Sequence, residues 1–148
     1  MLYLEDLHEG RTFELGSVEV TKADMLAFAE EFDPQAFHVD ENVAKEMFGG
    51  LIASGWHTAS LAQRLMVDGF LGLAACMASP GVDDLRFVKP VFAGDVLSAK
   101  ITIARTKRSQ KKPDRGLAEL RIEVFKAEDT LVLSMLGKVI VGCRPQAR

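Results

Sequence analysis

The chain has 148 residues, of which 48% are hydrophobic and 26% charged, a balance typical of a globular domain. Its formal net charge of −3 argues against binding to nucleic acid or to a membrane surface, and no apolar run reaches the roughly 20 residues of a spanning helix. Two cysteines and three histidines are too few for a disulfide framework or a typical metal site. We therefore expect one cytoplasmic domain over residues 1–148, with no bound metal.

The first predicted helix lies between Thr21 and Phe32. Thr21 is followed three residues later by Asp24, which is a capping-box pattern at a helix start. Pro34 disfavours the helical conformation at the residue before it, so the helix is expected to end there. The segment that follows Pro34 is predicted to be a loop.

Two further helices follow that loop. Asp40 is placed to cap a helix over residues 41–48, and Gly49 is suited to the left-handed conformation that closes it. The next helix, over residues 55–67, is apolar around most of its circumference. Such a helix requires cover from other structure on nearly every side.

The second half of the chain has the period-two pattern of β-strands, beginning after Pro80-Gly81. Strands are predicted at 97–103, 119–124 and 131–141, with turns at 113–116 and 127–130. The last strand is apolar on both faces, as in a central or interface strand. One apolar helix followed by an antiparallel meander predicts an α+β fold in which the sheet curls around the helix.

The candidate chemistry is concentrated in one short region. Asp33 and His38 place a carboxylate and an imidazole five residues apart on the predicted loop. The Gly-rich segment 48–58 then runs into the apolar helix, so its backbone N–H groups are available to a bound anion. A base, an acid and an oxyanion site together indicate proton transfer next to a carbonyl group.

These residues also carry a resemblance to a known family. Segments 33–58 and 85–91, together with Gly94-Asp95, resemble the MaoC-like dehydratases, which include the (R)-specific enoyl-CoA hydratases. The resemblance covers nearly the whole chain. It implies a single hotdog domain, an antiparallel sheet wrapped around a central helix, and pairing of two hotdogs in a homodimer. The short sheet, with its open edges, also requires a partner on physical grounds.

The resemblance implies that Asp33 and His38 form the catalytic dyad and that Gly55 supplies the oxyanion N–H group. The expected reaction interconverts a trans-2-enoyl-CoA and an (R)-3-hydroxyacyl-CoA, with the coenzyme A thioester as substrate and no cofactor. We expect an apolar pocket lined by Phe32, Phe37 and Phe48 to raise the pKa of the Asp33 carboxyl by desolvation.

The substrate itself is expected to contact aromatic side chains, the helix start and basic residues. The candidates are Phe37, Phe48, Ser54, Trp56, Arg86, Lys111 and Lys112. The two lysines belong to a basic cluster over residues 105–115 that only Asp114 interrupts. This cluster is either a solvated β-turn or a contact for the phosphates of coenzyme A.

Several of these residues also have a purely structural interpretation. Asp33 could close the preceding helix, and His38 could be an ordinary loop histidine. Asp40 and Ser54 are better interpreted as helix caps than as a further carboxylate and a nucleophile. His57 is expected to be structural or to lie at the pocket wall.

Two other functions stay open. A hotdog thioesterase needs a carboxylate directed at the thioester carbonyl, usually from the central helix, where this chain offers Asp68 at the far end. A non-catalytic acyl-CoA-binding protein would bind the same ligands and tolerate Asp33→Asn.

Overall fold

The computed structural model of the chain describes residues 1–147, which form four α-helices and five β-strands. The helices are α1 (Lys22–Phe32), α2 (Ala36–Val39), α3 (Glu41–Phe48) and α4 (Gly55–Gly69). The strands are β1 (Thr12–Glu19), β2 (Cys76–Phe87), β3 (Val96–Arg108), β4 (Arg115–Lys126) and β5 (Thr130–Gly142). Short 3₁₀ turns precede β1 and follow α4.

The strands form one antiparallel sheet in the order β1-β3-β4-β5-β2. Strands β3, β4 and β5 form a meander, connected by residues 109–114 and 127–129. The predicted turns at 113–116 and 127–130 overlap these connections, the first only at residues 113–114. At the second turn Ala127 and Glu128 adopt φ values of 48° and 69°, which reverse the chain between the paired residues Lys126 and Thr130. The long central helix and the sheet confirm the predicted α+β arrangement.

The core lies between α4 and one face of the sheet, which we call the inner face. Alternate side chains of β3 and β4 are buried there, as their period-two sequences predict. Helix α4 packs across β1 and β3. The principal core residues are Ala62, Leu65, Met66, Leu97, Ile101, Ile103, Leu120, Ile122, Val124 and Leu133.

Strand β2 is an edge of the sheet and is bare on both faces. Ten of its twelve residues are exposed, and the exposed set includes Met77, Val82 and Phe87. Since β2 hydrogen-bonds only to β5, its other side leaves backbone donors and acceptors without a neighbouring strand. Among the strands of residues 1–147, β2 is the one least covered by other parts of the protein.

Three sequence predictions need correction. Strand β1 lies in the first half of the chain, where no strand was predicted, because a bulge at Gly16 (φ 84°) interrupts its alternation. Strand β2 begins at Cys76 and includes Pro80, which an edge strand tolerates. Helix α4 is covered on one side only, and Trp56 is 58% exposed.

Candidate active site

Asp33 and His38 are placed by consecutive short elements. Asp33 is the residue after α1, where Pro34 prevents the helix from continuing. The chain then enters α2, which carries His38 and corrects the prediction of a loop at this position. Asp40 ends α2 and caps α3 by accepting hydrogen bonds from the N–H groups of Asn42 and Val43, as predicted. The dyad is therefore held between two helix ends.

His38 is buried, with 5% of its surface exposed, and both ring nitrogens have neighbours. Its Nδ1 lies 2.8 Å from the carbonyl oxygen of Ile52. Because a carbonyl oxygen only accepts, Nδ1 must carry the hydrogen. Nε2 lies 3.3 Å from Oδ2 of Asp33. The Ile52 carbonyl thus fixes the orientation of the ring and leaves Nε2 as the nitrogen that faces Asp33.

The Asp33 carboxylate accepts hydrogen bonds from two neutral side chains. Nε2 of Gln35 donates to Oδ1 at 2.6 Å, and the hydroxyl of Ser54 donates to Oδ2 at 2.8 Å. The bond from Gln35 is the largest influence that lowers the pKa of Asp33, and Ser54 and His38 add to it against the opposing effect of desolvation. The expectation of a raised pKa for Asp33 was therefore wrong. The carboxyl is ionised at neutral pH.

Ser54 and Gly55 form the start of α4 beside the dyad. The Ser54 hydroxyl accepts a hydrogen bond from the N–H of Trp56, so Ser54 is an N-cap as predicted as well as a partner of Asp33. Gly55 is the first residue of the helix, and its N–H donates to no acceptor among residues 1–147. A Cβ atom at Gly55 would come within 2.6 Å of the Phe87 ring, so only glycine fits here without displacement of that ring.

A cavity of about 350 Å³ opens beside these groups. Its walls come from the end of α1 and from α2, the start of α4 with the two residues 52–53 before it, the end of β2 with the segment after it, and one residue of β5. The lining residues are Asp33, Gln35, His38, Ile52, Ala53, Gly55, Trp56, Thr58, Phe87, Val88, Lys89, Pro90, Val91 and Val132. It brings a carboxylate, an imidazole and an unpaired N–H group to one apolar-walled space. We call it the catalytic cavity after the role that we propose for it.

The other predicted contacts lie in several places. Phe37 packs edge-on against the His38 ring at 4.5 Å, behind the cavity rather than in its wall, and Phe48 packs on Phe37. Phe32 is largely exposed. Arg86 also lies outside the lining, 3.5 Å from the Asp84 carboxylate on the surface.

Lys111 and Lys112 line a different cavity, of about 490 Å³, at the β3–β4 turn. This basic cavity is separate from the catalytic cavity and shares no residue with it. The predicted apolar pocket at Asp33 and the predicted basic contact therefore lie at two separate sites of the chain.

Sequence reasoning did not identify several residues of the catalytic cavity. Gln35 was regarded only as part of the loop, although an amide two residues after a carboxylate is within reach of it. Thr58 is buried and faces the cavity one turn into α4. The segment 87–91 was noted for its resemblance, but nothing in its sequence indicated that it closes the cavity.

Two kinds of feature are absent from residues 1–147. No group of three or more His, Cys, Asp or Glu side chains is arranged to hold a metal ion. No helix in this part of the chain is both long enough and apolar enough to cross a membrane.

The fold and the site define a class of protein: a hotdog domain with an aspartate–histidine pair beside the start of its central helix. Residues 7–123 match the MaoC-like domain. The chain is similar to a MaoC-like dehydratase from Rhodospirillum rubrum, with a TM-score of 0.92 and 38% identity over 99% of this chain and 100% of that one. The chain belongs to the MaoC-like dehydratase family.

Three other proteins extend this finding. The uncharacterized protein YdeM of Bacillus subtilis is 31% identical over 131 residues, which are 87% of this chain and 91% of that protein. An (R)-hydratase from A. caviae involved in PHA biosynthesis has a TM-score of 0.67 and 24% identity, with 95% and 99% of the two chains covered. At that identity the likeness is one of fold. A Mycobacterium tuberculosis protein with a double hotdog fold has a TM-score of 0.84 and 21% identity, over 99% of this chain and 46% of that one, which confirms the hotdog architecture expected from the sequence.

Proposed function

We propose that the protein is a hydratase/dehydratase that interconverts a trans-2-enoyl-CoA and an (R)-3-hydroxyacyl-CoA. The observation that carries the proposal is the 3.3 Å approach of His38 Nε2 to Asp33 Oδ2 at the wall of an apolar cavity, beside the unpaired N–H of Gly55. Membership in the MaoC-like dehydratase family supports the reaction class. The acyl group would occupy the catalytic cavity.

In the hydration direction, a water molecule between Asp33 and His38 attacks the β carbon of the enoyl group. As the new C–O bond forms, the electrons of the double bond move toward the thioester oxygen. The N–H of Gly55 stabilises the negative charge that develops there, an effect worth about 10²–10³-fold in rate. The dyad takes a proton from the water and returns one to the α carbon, so the step is balanced without a cofactor.

The two dyad members have different roles in this proposal. Asp33, whose pKa is lowered, stays ionised and holds the water and the protonated form of His38. The proton that the dyad exchanges is carried on Nε2 of His38, since Nδ1 is engaged by the Ile52 carbonyl. Positioned acid–base groups of this kind contribute about 10²–10⁴-fold.

We also propose a homodimer joined along β2. The edge strand is bare on both faces, and Trp56, Phe87 and Val88 extend its apolar surface toward the catalytic cavity. Pairing of β2 with a second β2, antiparallel about a two-fold axis, satisfies the open backbone groups and gives a closed assembly. Sedimentation at micromolar concentration tests this: a stable monomer would contradict it.

The alternative is a thioesterase, which needs a carboxylate close to the thioester. Asp68, the carboxylate near the end of α4, pairs with Arg64 on the surface and does not line the catalytic cavity. A non-catalytic acyl-CoA-binding protein is the other alternative.

The test is an assay of hydration with crotonyl-CoA and a longer 2-enoyl-CoA. Hydration is monitored as the loss of enoyl absorbance, and release of free thiol is measured in parallel. We expect turnover by the wild type, a loss of about 10²–10⁴-fold in Asp33→Asn, and no thiol release. Thiol release without hydration would indicate the thioesterase. Binding of both substrates without any reaction would indicate the non-catalytic protein.

A further inference from the structure

The catalytic cavity is lined by two buried polar side chains, and the proposed hydration uses only one of them. His38 is 5% exposed and Thr58 is 4% exposed. The other polar side chains of the lining are half-buried or exposed; they are Asp33, Gln35, Trp56 and Lys89. The hydroxyl of Thr58 is therefore a buried polar group at the cavity wall to which the hydration step assigns no role.

This hydroxyl has no hydrogen-bond partner within residues 1–147. The side chain of Ser60, two residues along α4, donates to the carbonyl oxygen of Trp56, whereas the Thr58 side chain makes no such bond. Among the described residues, Nδ1 of His57 is the only side-chain nitrogen or oxygen that is both enclosed and without a partner. The Thr58 oxygen is therefore not enclosed. Because Thr58 lines the cavity, its hydroxyl opens into that space.

The other buried residues of the lining, His38 apart, are apolar. They are Ile52, Ala53, Val91 and Val132. An alkyl group that filled the space beside Thr58 would exclude water from the hydroxyl without replacing its hydrogen bond, which weakens binding. A ligand with an oxygen at this point supplies the missing partner. Sites that hydrogen-bond a substrate oxygen discriminate strongly against analogues that lack it.

Helix geometry indicates which acyl carbon lies beside Thr58. Gly55 and Thr58 are three residues apart on α4, so they share one face of the helix. The rise between them is about 4.5 Å along the axis, which is about three carbon–carbon bond lengths. When the thioester oxygen accepts the N–H of Gly55, the atom three bonds from the carbonyl carbon is the γ carbon. This is the first carbon beyond the reacting double bond.

We propose that Thr58 selects thioesters whose acyl group carries an oxygen on the γ carbon, so that the substrate class is a 4-oxygenated 2-enoyl thioester. The inference rests on the proposed function and specifies its substrate. Within this class the oxygen belongs either to a 4-hydroxyl group or to a carboxylate at carbon 4. Both can pair with the hydroxyl of Thr58.

Lys89 separates these two oxygen groups. Its side chain is exposed, lines the same cavity and forms no ion pair with a residue in the range 1–147. A carboxylate at carbon 4 would be stabilised by this cation, whereas a neutral hydroxyl would gain little from it.

The test compares three thioesters in the wild type and in Thr58→Val, which keeps the branched shape and removes the hydroxyl. The thioesters are crotonyl-CoA, 4-hydroxycrotonyl-CoA and the mono-CoA thioester of fumaric acid. In the wild type we expect kcat/KM for one oxygenated thioester to exceed that for crotonyl-CoA by about tenfold or more. In Thr58→Val this ratio should fall to about one, because crotonyl-CoA no longer leaves a hydroxyl unpaired.

The ratio is measured on one protein sample, so partial unfolding of a variant does not change it. Thr58→Ser keeps the hydroxyl and should keep the preference. A wild type that favours crotonyl-CoA over both oxygenated thioesters would overturn the inference, and so would a preference that survives in Thr58→Val. An equal loss on all three thioesters would place the hydroxyl at the reacting atoms and would also overturn it.

Lys89→Gln identifies the oxygen group. A loss confined to the fumaric thioester supports a carboxylate at carbon 4. If all three thioesters change by the same factor, Lys89 does not distinguish the acyl groups, and the preferred oxygen is the one that the wild-type ratio identifies.

Binding of the saturated counterparts separates this inference from the proposed function. Calorimetry with butyryl-CoA, 4-hydroxybutyryl-CoA and succinyl-CoA requires no turnover. Tighter binding of an oxygenated thioester that depends on Thr58, without hydration of any enoyl thioester, would contradict the hydratase and support the selection by Thr58. Hydration of crotonyl-CoA with no Thr58-dependent preference would leave the hydratase intact and overturn the inference.

Discussion

The two buried histidines, His38 and His57, have nearly equal exposure, 5% and 6%, but very different surroundings. Both ring nitrogens of His38 have polar neighbours, the Ile52 carbonyl and the Asp33 carboxylate. Nδ1 of His57 has no hydrogen-bond partner among residues 1–147, and the ring is stacked on Phe28 with centroids 5.0 Å apart.

The difference shows that hydrogen bonding, not burial, determines what a buried imidazole can do. His38 is fixed in orientation and presents one nitrogen to a carboxylate at the cavity wall. Desolvation lowers the pKa of His57, and the nearby Asp24 only partly opposes this. His57 is therefore a neutral packing residue between α1 and α4, and it does not line the catalytic cavity.

The largest expected effect is on kcat, and it should separate the two histidines when each is substituted. His38→Gln removes the nitrogen that we propose exchanges protons, and we expect kcat to fall by about 10²–10⁴-fold on crotonyl-CoA. His57→Phe keeps an aromatic ring against Phe28 and should leave kcat within about twofold. The kcat values of both variants are compared by steady-state kinetics, and circular dichroism verifies that each variant is folded. Equal losses in the two variants would remove the distinction between the histidines.

A second, intermediate effect concerns the hydrogen bonds that hold Asp33. Ser54→Ala removes a donor to the carboxylate, so the pKa of Asp33 should rise toward its ordinary value. The acid limb of kcat/KM against pH should then move to higher pH. The lost N-cap should also lower the free energy of unfolding by about 1 kcal/mol.

Thr21→Ala is the matched control, because Thr21 caps α1 through the Asp24 N–H and does not contact Asp33. Thr21→Ala should lower the free energy of unfolding by a similar amount and leave the acid limb of the kcat/KM profile at the same pH. An unchanged limb in Ser54→Ala would show that the hydroxyl does not influence the carboxylate.

The smallest expected effect is on stability in acid. Desolvation lowers the folded-state pKa of His57 below its ordinary value of 6.5, so the unfolded chain binds more protons below about pH 6.5. Stability that is present above this pH is therefore lost as the pH falls toward the folded-state pKa. His57→Phe should reduce that loss, as measured by urea unfolding between about pH 7 and pH 5. A loss identical to that of the wild type would place the acid sensitivity elsewhere.

The helices and the meander could be predicted because their signals are local. Asp40 and Gly49 mark the ends of α3, and alternation marks β3 and β4. Strand β1 was missed because the bulge at Gly16 shifts the phase of its alternation. Strand β2 was missed because a strand exposed on both faces has no alternation to detect.

The dyad also follows from a short stretch of sequence, but its electrostatics do not. Ser54 reaches Asp33 from 21 residues away, and the sequence does not show that the two meet. The aromatic residues near Asp33 suggested desolvation, whereas Phe32 points outward and Phe37 lies behind His38. The direction of the Asp33 pKa therefore required the structure.

The two hydrogen bonds of the Ser54 hydroxyl limit which substitutions this position can accept. One hydroxyl both begins the central helix and holds the carboxylate, so position 54 cannot be altered for chemistry without an effect on folding. Threonine keeps the hydroxyl but adds a methyl group at a fully buried site. Substitutions that adapt the cavity to a different ligand are therefore less constrained along its 87–91 wall than at the helix start.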